Sequence, residues 1–150
     1  MADNTFRKAA PSDLEGIVSM MRQYYEEDGY GFDAAAARGA VGALISDPSL
    51  GWLWIIEENA ELCGYLAVTL GYSLEYRGRD AFLDELYLLP GARGRGIGSR
   101  AVTLAEETCR RVGVHALHLE VEKDKEGALG LYRRAGFEAH DRVLMTKRLE

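Results

Sequence analysis

Eight residues constrain this chain more than any others. Gly91-Ala92-Arg93-Gly94-Arg95-Gly96-Ile97-Gly98 holds four glycines and two arginines and lies between two stretches of different periodicity. Before it, Ala81 to Leu89 reads as a strand stopped by Pro90-Gly91. After it, Ile97, Ala101, Leu104, Ala105, Thr108 and Val112 mark the buried stripe of a long helix, closed by Gly113. Glycines at the first turn of a helix remove side chains where a ligand must come close. Successive backbone N–H groups, aided by the positive end of the helix dipole, can then hold an anion such as a pyrophosphate, and Arg93 and Arg95 add charge. A tight turn that needs glycine for backbone reasons alone would account for an isolated glycine pair. Two other phosphate loops do not match. A P-loop would end in Gly-Lys-Ser/Thr, and a dinucleotide fingerprint would place glycine or alanine where this chain has Ser99.

The rest of the chain alternates strand-like and helix-like segments. Thr5 to Ala10 reads as a strand, and Pro11-Ser12-Asp13 starts a helix to about Glu27 whose Leu14, Ile17, Val18, Met21 and Tyr25 share one face. Asp28-Gly29-Tyr30-Gly31 breaks it, and a second helix runs from about Asp33 to Ser46. Trp52 to Glu57 and Leu62 to Tyr72 form an antiparallel pair around the turn Glu58-Asn59-Ala60. Beyond Gly113 the pattern predicts a strand over His115–Val121, a helix over Glu126–Ala135 and a last strand over Val143–Arg148. The expected fold class is α/β, a mixed, mostly antiparallel central sheet flanked by helices.

With 150 residues and 47% hydrophobic content, residues 1–150 fit a single domain with a sizeable core. No apolar run is long enough to span a membrane and the N-terminus lacks a signal segment, so a cytoplasmic protein with no membrane partner is expected. The formal charge of −6 disfavours nucleic acid and suits a cationic small molecule. Cys63 and Cys109 have no metal-ligand spacing, so no metal is expected and both should pack as small apolar side chains.

Arg93, Gly96 and Gly98 satisfy the pattern Arg/Gln-x-x-Gly-x-Gly/Ala, and Leu131-Tyr132-Arg133-Arg134-Ala135-Gly136-Phe137 follows at the expected distance. On these residues the chain resembles, nearly end to end, the GNAT superfamily of acetyl-CoA-dependent N-acetyltransferases. The resemblance implies a GNAT-like fold with acetyl-CoA as cosubstrate. It implies that Arg93, Gly94, Arg95, Gly96, Ile97, Gly98 and Ser99 hold the coenzyme A pyrophosphate, and that backbone at Leu86, Tyr87 and Leu88 pairs with the pantetheine arm. It also implies that Tyr132 donates a proton or hydrogen bond to the coenzyme A sulfur, which a phenol of pKa about 10 can do at neutral pH. One departure stands at Lys125, where family members often carry asparagine, and it bears on the pantetheine contacts.

Transfer to an amine also needs a base. Asp84, Glu85 and Glu120 qualify, with Glu85 and Glu120 ahead. Strand alternation places Asp84 and Glu85 on opposite faces, so at most one would face the substrate. Glu120 shares a strand face with His118, which could assist it, although His115, His118 and His140 otherwise read as structural. The run Tyr24-Tyr25-Glu26-Glu27-Asp28-Gly29-Tyr30 sets acids among aromatics, which suits a small-molecule amine, while a solvated helix end explains it equally well. Trp52 and Trp54 read as core or interface, and the aromatic strands can serve a homodimer. Two other readings remain: a non-catalytic acetyl-CoA-binding module, and a protein or peptide N-acetyltransferase.

Overall fold

A computed structural model describes residues 4–150. A five-stranded sheet in the order β1-β2-β3-β4-β5 organises the first of two compact units, which extends to Glu120. Its strands are β1 (Asn4–Lys8), β2 (Gly51–Glu58), β3 (Glu61–Ser73), β4 (Gly78–Leu88) and β5 (Ala116–His118). The first three pairings are antiparallel and β4–β5 is parallel. The mixed, mostly antiparallel sheet expected from the sequence is therefore present. Asn59 and Ala60, both with positive φ, close the β2–β3 hairpin as a two-residue turn whose twist matches that of the strands.

Helix α1 (Leu14–Glu27) follows a 3-10 turn at Pro11–Asp13, where the Asp13 carboxylate accepts from the Ala10 amide and pairs with Arg7. Helix α2 (Ala34–Ser46) is capped by the Asp33 side chain, which accepts from the Ala36 amide. Ile17 and Met20 of α1 and Val41 of α2 pack with Leu53, Ile55, Tyr65, Ala67 and Tyr87 in one apolar cluster. Leu66 and Val68, which alternate with Tyr65 and Ala67 along β3, are fully buried as well, so β3 is covered on both faces. Helix α3 (Ile97–Arg111) packs on β4 and buries Ile97, Ala101, Val102, Ala105 and Cys109. Both cysteines are buried, and burial pushes the Cys109 thiol up to about 11.

The second unit, Val121–Glu150, contains helix α4 (Glu126–Arg134), which ends at Gly136. Two expectations fail near this end of the chain. The strand predicted over His115–Val121 is three residues long, so Glu120 lies two residues past its end and is exposed. The strand predicted over Val143–Arg148 is absent, and Val143, Leu144 and Met145 are exposed. Branched and apolar residues make a strand only where a neighbour completes the backbone ladder and covers one face. Among the described residues no helix is long and apolar enough to cross a membrane.

Candidate active site

Strand β4 carries the chain into the glycine loop and shapes both halves of the site. It pairs with β5 only over Asp80–Phe82, so among the described strands nothing pairs with its outer edge from Leu83 to Leu88. That edge offers backbone N–H and C=O groups to an extended, amide-bearing ligand, as an exposed sheet edge does to an added strand. Leu86, Tyr87 and Leu88 lie on this stretch. A short 3-10 turn at Pro90–Ala92 leads to Gly94 and Gly96, whose φ values of +78° and +80° are costly for any residue with a Cβ. Apart from its chain neighbours, a Cβ at either glycine would meet no described atom within 4 Å, so the space over the loop is open. The first intrahelical bond recorded at the start of α3 runs from the Arg100 amide to the Gly96 carbonyl. The N–H groups of Ile97, Gly98 and Ser99 have no acceptor one turn back. The loop thus has the geometry to hold a pyrophosphate.

The loop arginines contribute less bare charge than their number implies. Arg93 donates from Nε to the Leu88 carbonyl and from Nη2 to Glu27 Oε2 at 2.8 Å. Arg95 donates from Nη2 to Glu58 Oε1 at 2.7 Å and to the Gly91 carbonyl. Both side chains are more than 40% exposed, so solvent screens these ion pairs and a phosphate can compete for the guanidinium groups.

A second cluster of polar side chains centres on Glu85. Its Oε2 accepts from the Tyr25 hydroxyl at 2.5 Å and its Oε1 from the Tyr65 hydroxyl at 2.6 Å. Burial raises the Glu85 carboxyl, the two phenol hydrogen bonds oppose that rise, and the charge of Asp84 adds to it. Burial also raises Tyr25 and Tyr65, with Glu85 reinforcing both shifts, so the phenols act as donors. Next to them, the Tyr87 hydroxyl donates to Glu27 at 2.7 Å and its ring stacks on Tyr24, with the Arg93 guanidinium 5.5 Å from the ring centre. Burial first and Glu27 second push the Tyr87 phenol up to about 12.

A β-bulge corrects the expectation about Asp84. Val68 opposes Leu83 while the next residue back along β3, Ala67, opposes Glu85, which leaves Asp84 as an extra residue on β4. Opposed residues share a face, so Leu83 and Glu85 lie on opposite faces, and Asp84, alternating with Leu83, falls on the face of Glu85. Both carboxylates act electrostatically on Tyr25, in keeping with this placement. Burial raises the Asp84 carboxyl too, although the residue as a whole is exposed.

The other sequence candidates of the first unit lie elsewhere. Glu120 is exposed beyond β5, off the strand face it was expected to share with His118. His118 is 3.1 Å from Asp80 and packs against the Tyr76 and Phe82 rings, a structural setting. Trp52 and Trp54 stack on each other, with Trp54 buried. Tyr132 sits on α4 with its ring edge-on to Phe137, and burial raises its phenol, which keeps the proton available. Sequence reasoning missed Tyr65 altogether. Its signal was a phenol inside an otherwise aliphatic buried strand, where the hydroxyl requires an acceptor.

Comparison with known proteins accords with this geometry. Residues 16–137 match the model of the Acetyltransferase (GNAT) family. The chain is 28% identical over 132 residues to the uncharacterized N-acetyltransferase YhfO of Bacillus subtilis, covering 88% of each protein. It is 29% identical over 146 residues to the thialysine N-epsilon-acetyltransferase of Mus musculus, covering 91% of this chain and 85% of that protein. The crystal structure of an integron cassette protein from the mobile metagenome of Cole Harbour Salt Marsh superposes with a TM-score of 0.87 at 37% identity, over 97% of this chain and 90% of that one. The open glycine loop, the free edge of β4 and the family match together make this chain a member of the GNAT family, an acetyl-CoA-dependent N-acetyltransferase.

Proposed function

We propose that this enzyme acetylates a small, cationic primary amine by direct transfer within a ternary complex, with Glu85 as the base. The observation that carries this reading is the Glu85 carboxylate, half-buried and raised by burial, with Asp84 on the same face. An amine arrives at neutral pH as an ammonium ion. Two carboxylates and the neighbouring tyrosine rings favour that cation, and Glu85 then accepts its proton. The freed lone pair attacks the thioester carbonyl, the carbon–sulfur bond breaks, and Tyr132 returns a proton to the departing thiolate. Backbone N–H groups from Gly94 to Ser99 hold the pyrophosphate, and the open edge of β4 at Leu86–Leu88 takes the pantetheine arm. The two cysteines are buried, with thiols raised by burial, which supports transfer without an acyl-enzyme. The mouse relative, named for thialysine, supports a small amine acceptor. The family match at 16–137 crosses from one compact unit into the other, which supports reading the chain as one acetyltransferase domain.

The test is release of coenzyme A thiol from acetyl-CoA across polyamines, amino acids, aminoglycosides and short peptides, for wild type and Tyr132→Phe. A small cationic amine turned over fastest, with kcat reduced about tenfold or more in the variant, is the expected result. Preference for a peptide, or tight binding of acetyl-CoA with no turnover, would overturn the reading.

A further inference from the structure

Two tyrosines distant in sequence end on one carboxylate. Tyr25 comes from the last turns of α1 and Tyr65 from the middle of β3, and each hydroxyl reaches a different oxygen of Glu85. We propose that Tyr25 and Tyr65 are positioning residues for the acetyl transfer, clamping the two oxygens of Glu85 so that its remaining lone pairs face the acceptor amine. The inference rests on the reading of Glu85 as the base.

An ionised carboxylate has about four lone-pair directions. The phenols occupy one on each oxygen, and two donors on two oxygens fix the carboxylate plane where a single donor would leave it free to turn. The posts differ in kind. Tyr65 is 1% exposed on a strand covered on both faces, so it is held by the core. Tyr25 is half-buried, with edge-on contacts to Tyr24, Tyr30 and Phe32, so its reach depends on where α1 ends. Two clamped oxygens also bias Glu85 towards its charged form, the form a base needs before it meets the ammonium. The groups that act on it are Tyr65 on β3 and Tyr25 on α1 through their hydrogen bonds and Asp84 on β4 through its charge. Asp84 acts on Tyr25 as well as on Glu85, so the Glu85 carboxyl resonance is followed on its own in each variant.

A purely structural role, in which Glu85 merely satisfies two buried hydroxyls, is separable by experiment. Glu85 is titrated by carboxyl 13C NMR in wild type, Tyr25→Phe and Tyr65→Phe, and kcat/KM is followed against pH with the best amine acceptor. A hydrogen bond to the charged form lowers a carboxyl pKa, so losing one raises it. Each variant should therefore move the Glu85 titration to higher pH and carry the acid limb of kcat/KM with it, with about a tenfold loss on that limb and recovery at alkaline pH. An unmoved NMR titration in both variants overturns the clamp, whatever the enzyme acetylates. A moved titration with an unmoved kinetic limb overturns Glu85 as the base, and the positioning role with it. A loss of rate equal at every pH would mark structural damage only and would likewise overturn the proposal. Far-UV circular dichroism confirms that each variant is folded, and Tyr25→Phe, at the less buried post, serves if Tyr65→Phe is not.

Discussion

The proposed cofactor side and the proposed acceptor side of this site are built from different materials. The loop from Arg93 to Ser99 works through backbone: two glycines at positive φ, a helix start with unused N–H groups, and arginines already tied to Glu27, Glu58 and carbonyl oxygens. The region around Glu85 works through side chains: a carboxylate, the phenols of Tyr25 and Tyr65, and a second carboxylate placed by a bulge. Backbone can bind a ligand that every member of a family shares, because it is insensitive to most substitutions. Side chains from several elements can be changed one at a time, and a variable acceptor demands that freedom.

Substitutions that act on one side and spare the other would sharpen this contrast. The largest effect is expected for Glu85→Gln, which should lower kcat/KM by about a hundredfold or more while leaving acetyl-CoA affinity within twofold. Steady-state rates paired with calorimetric titration of acetyl-CoA check both, and a loss of cofactor affinity would show that the two sides are not separate. Next comes Gly96→Ala against Arg95→Ala. The alanine methyl must sit at φ +80° and enter the open space over the loop, so acetyl-CoA binding should weaken by roughly tenfold or more. Arg95→Ala removes a partnered, exposed guanidinium and should cost about threefold or less. If the arginine matters more than the glycine, the loop binds through charge and the contrast breaks.

The smallest effect concerns stability. Burial holds the Glu85 carboxyl above its unfolded value, with the charge of Asp84 adding to it. For an acid raised on folding, the cost is absent below the unfolded pKa and fully present above the folded one. The melting temperature of Glu85→Gln minus that of wild type should therefore be more positive at pH 8 than at pH 4. Thermal unfolding at the two pH values measures it, and a difference that shrinks as pH rises would contradict the burial of a raised carboxyl.

What could be seen in advance follows the same division. The loop was legible because everything it needs is contiguous: a strand, a proline stop, glycines, then a helical stripe. The main elements were legible for similar reasons, with α1, α2, α3 and the β2–β3 hairpin close to their expected bounds. The partners of Glu85 were not, since Tyr25 and Tyr65 lie sixty and twenty residues away and meet it only once α1 has packed on the sheet. Alternation misled at Asp84 because a bulge leaves no local sign in Leu83-Asp84-Glu85. It misled again at Glu120 and Val143–Arg148, where apolar and branched residues are not matched by a strand to pair with.

The bulge at Asp84 makes the rest of β4 a matter of parity. Up to Leu83, odd-numbered residues face away from the α1 cluster; from Glu85 onward, odd-numbered residues face it. Deleting a single codon there would restore a regular strand, yet it would force a choice. Either the residues after the deletion keep their face and one carboxylate disappears from the pair, or they slide in register and the glycine loop begins one residue too early. The spare residue is what lets a sheet carry a pair of acids on one face and still deliver the loop to the start of α3.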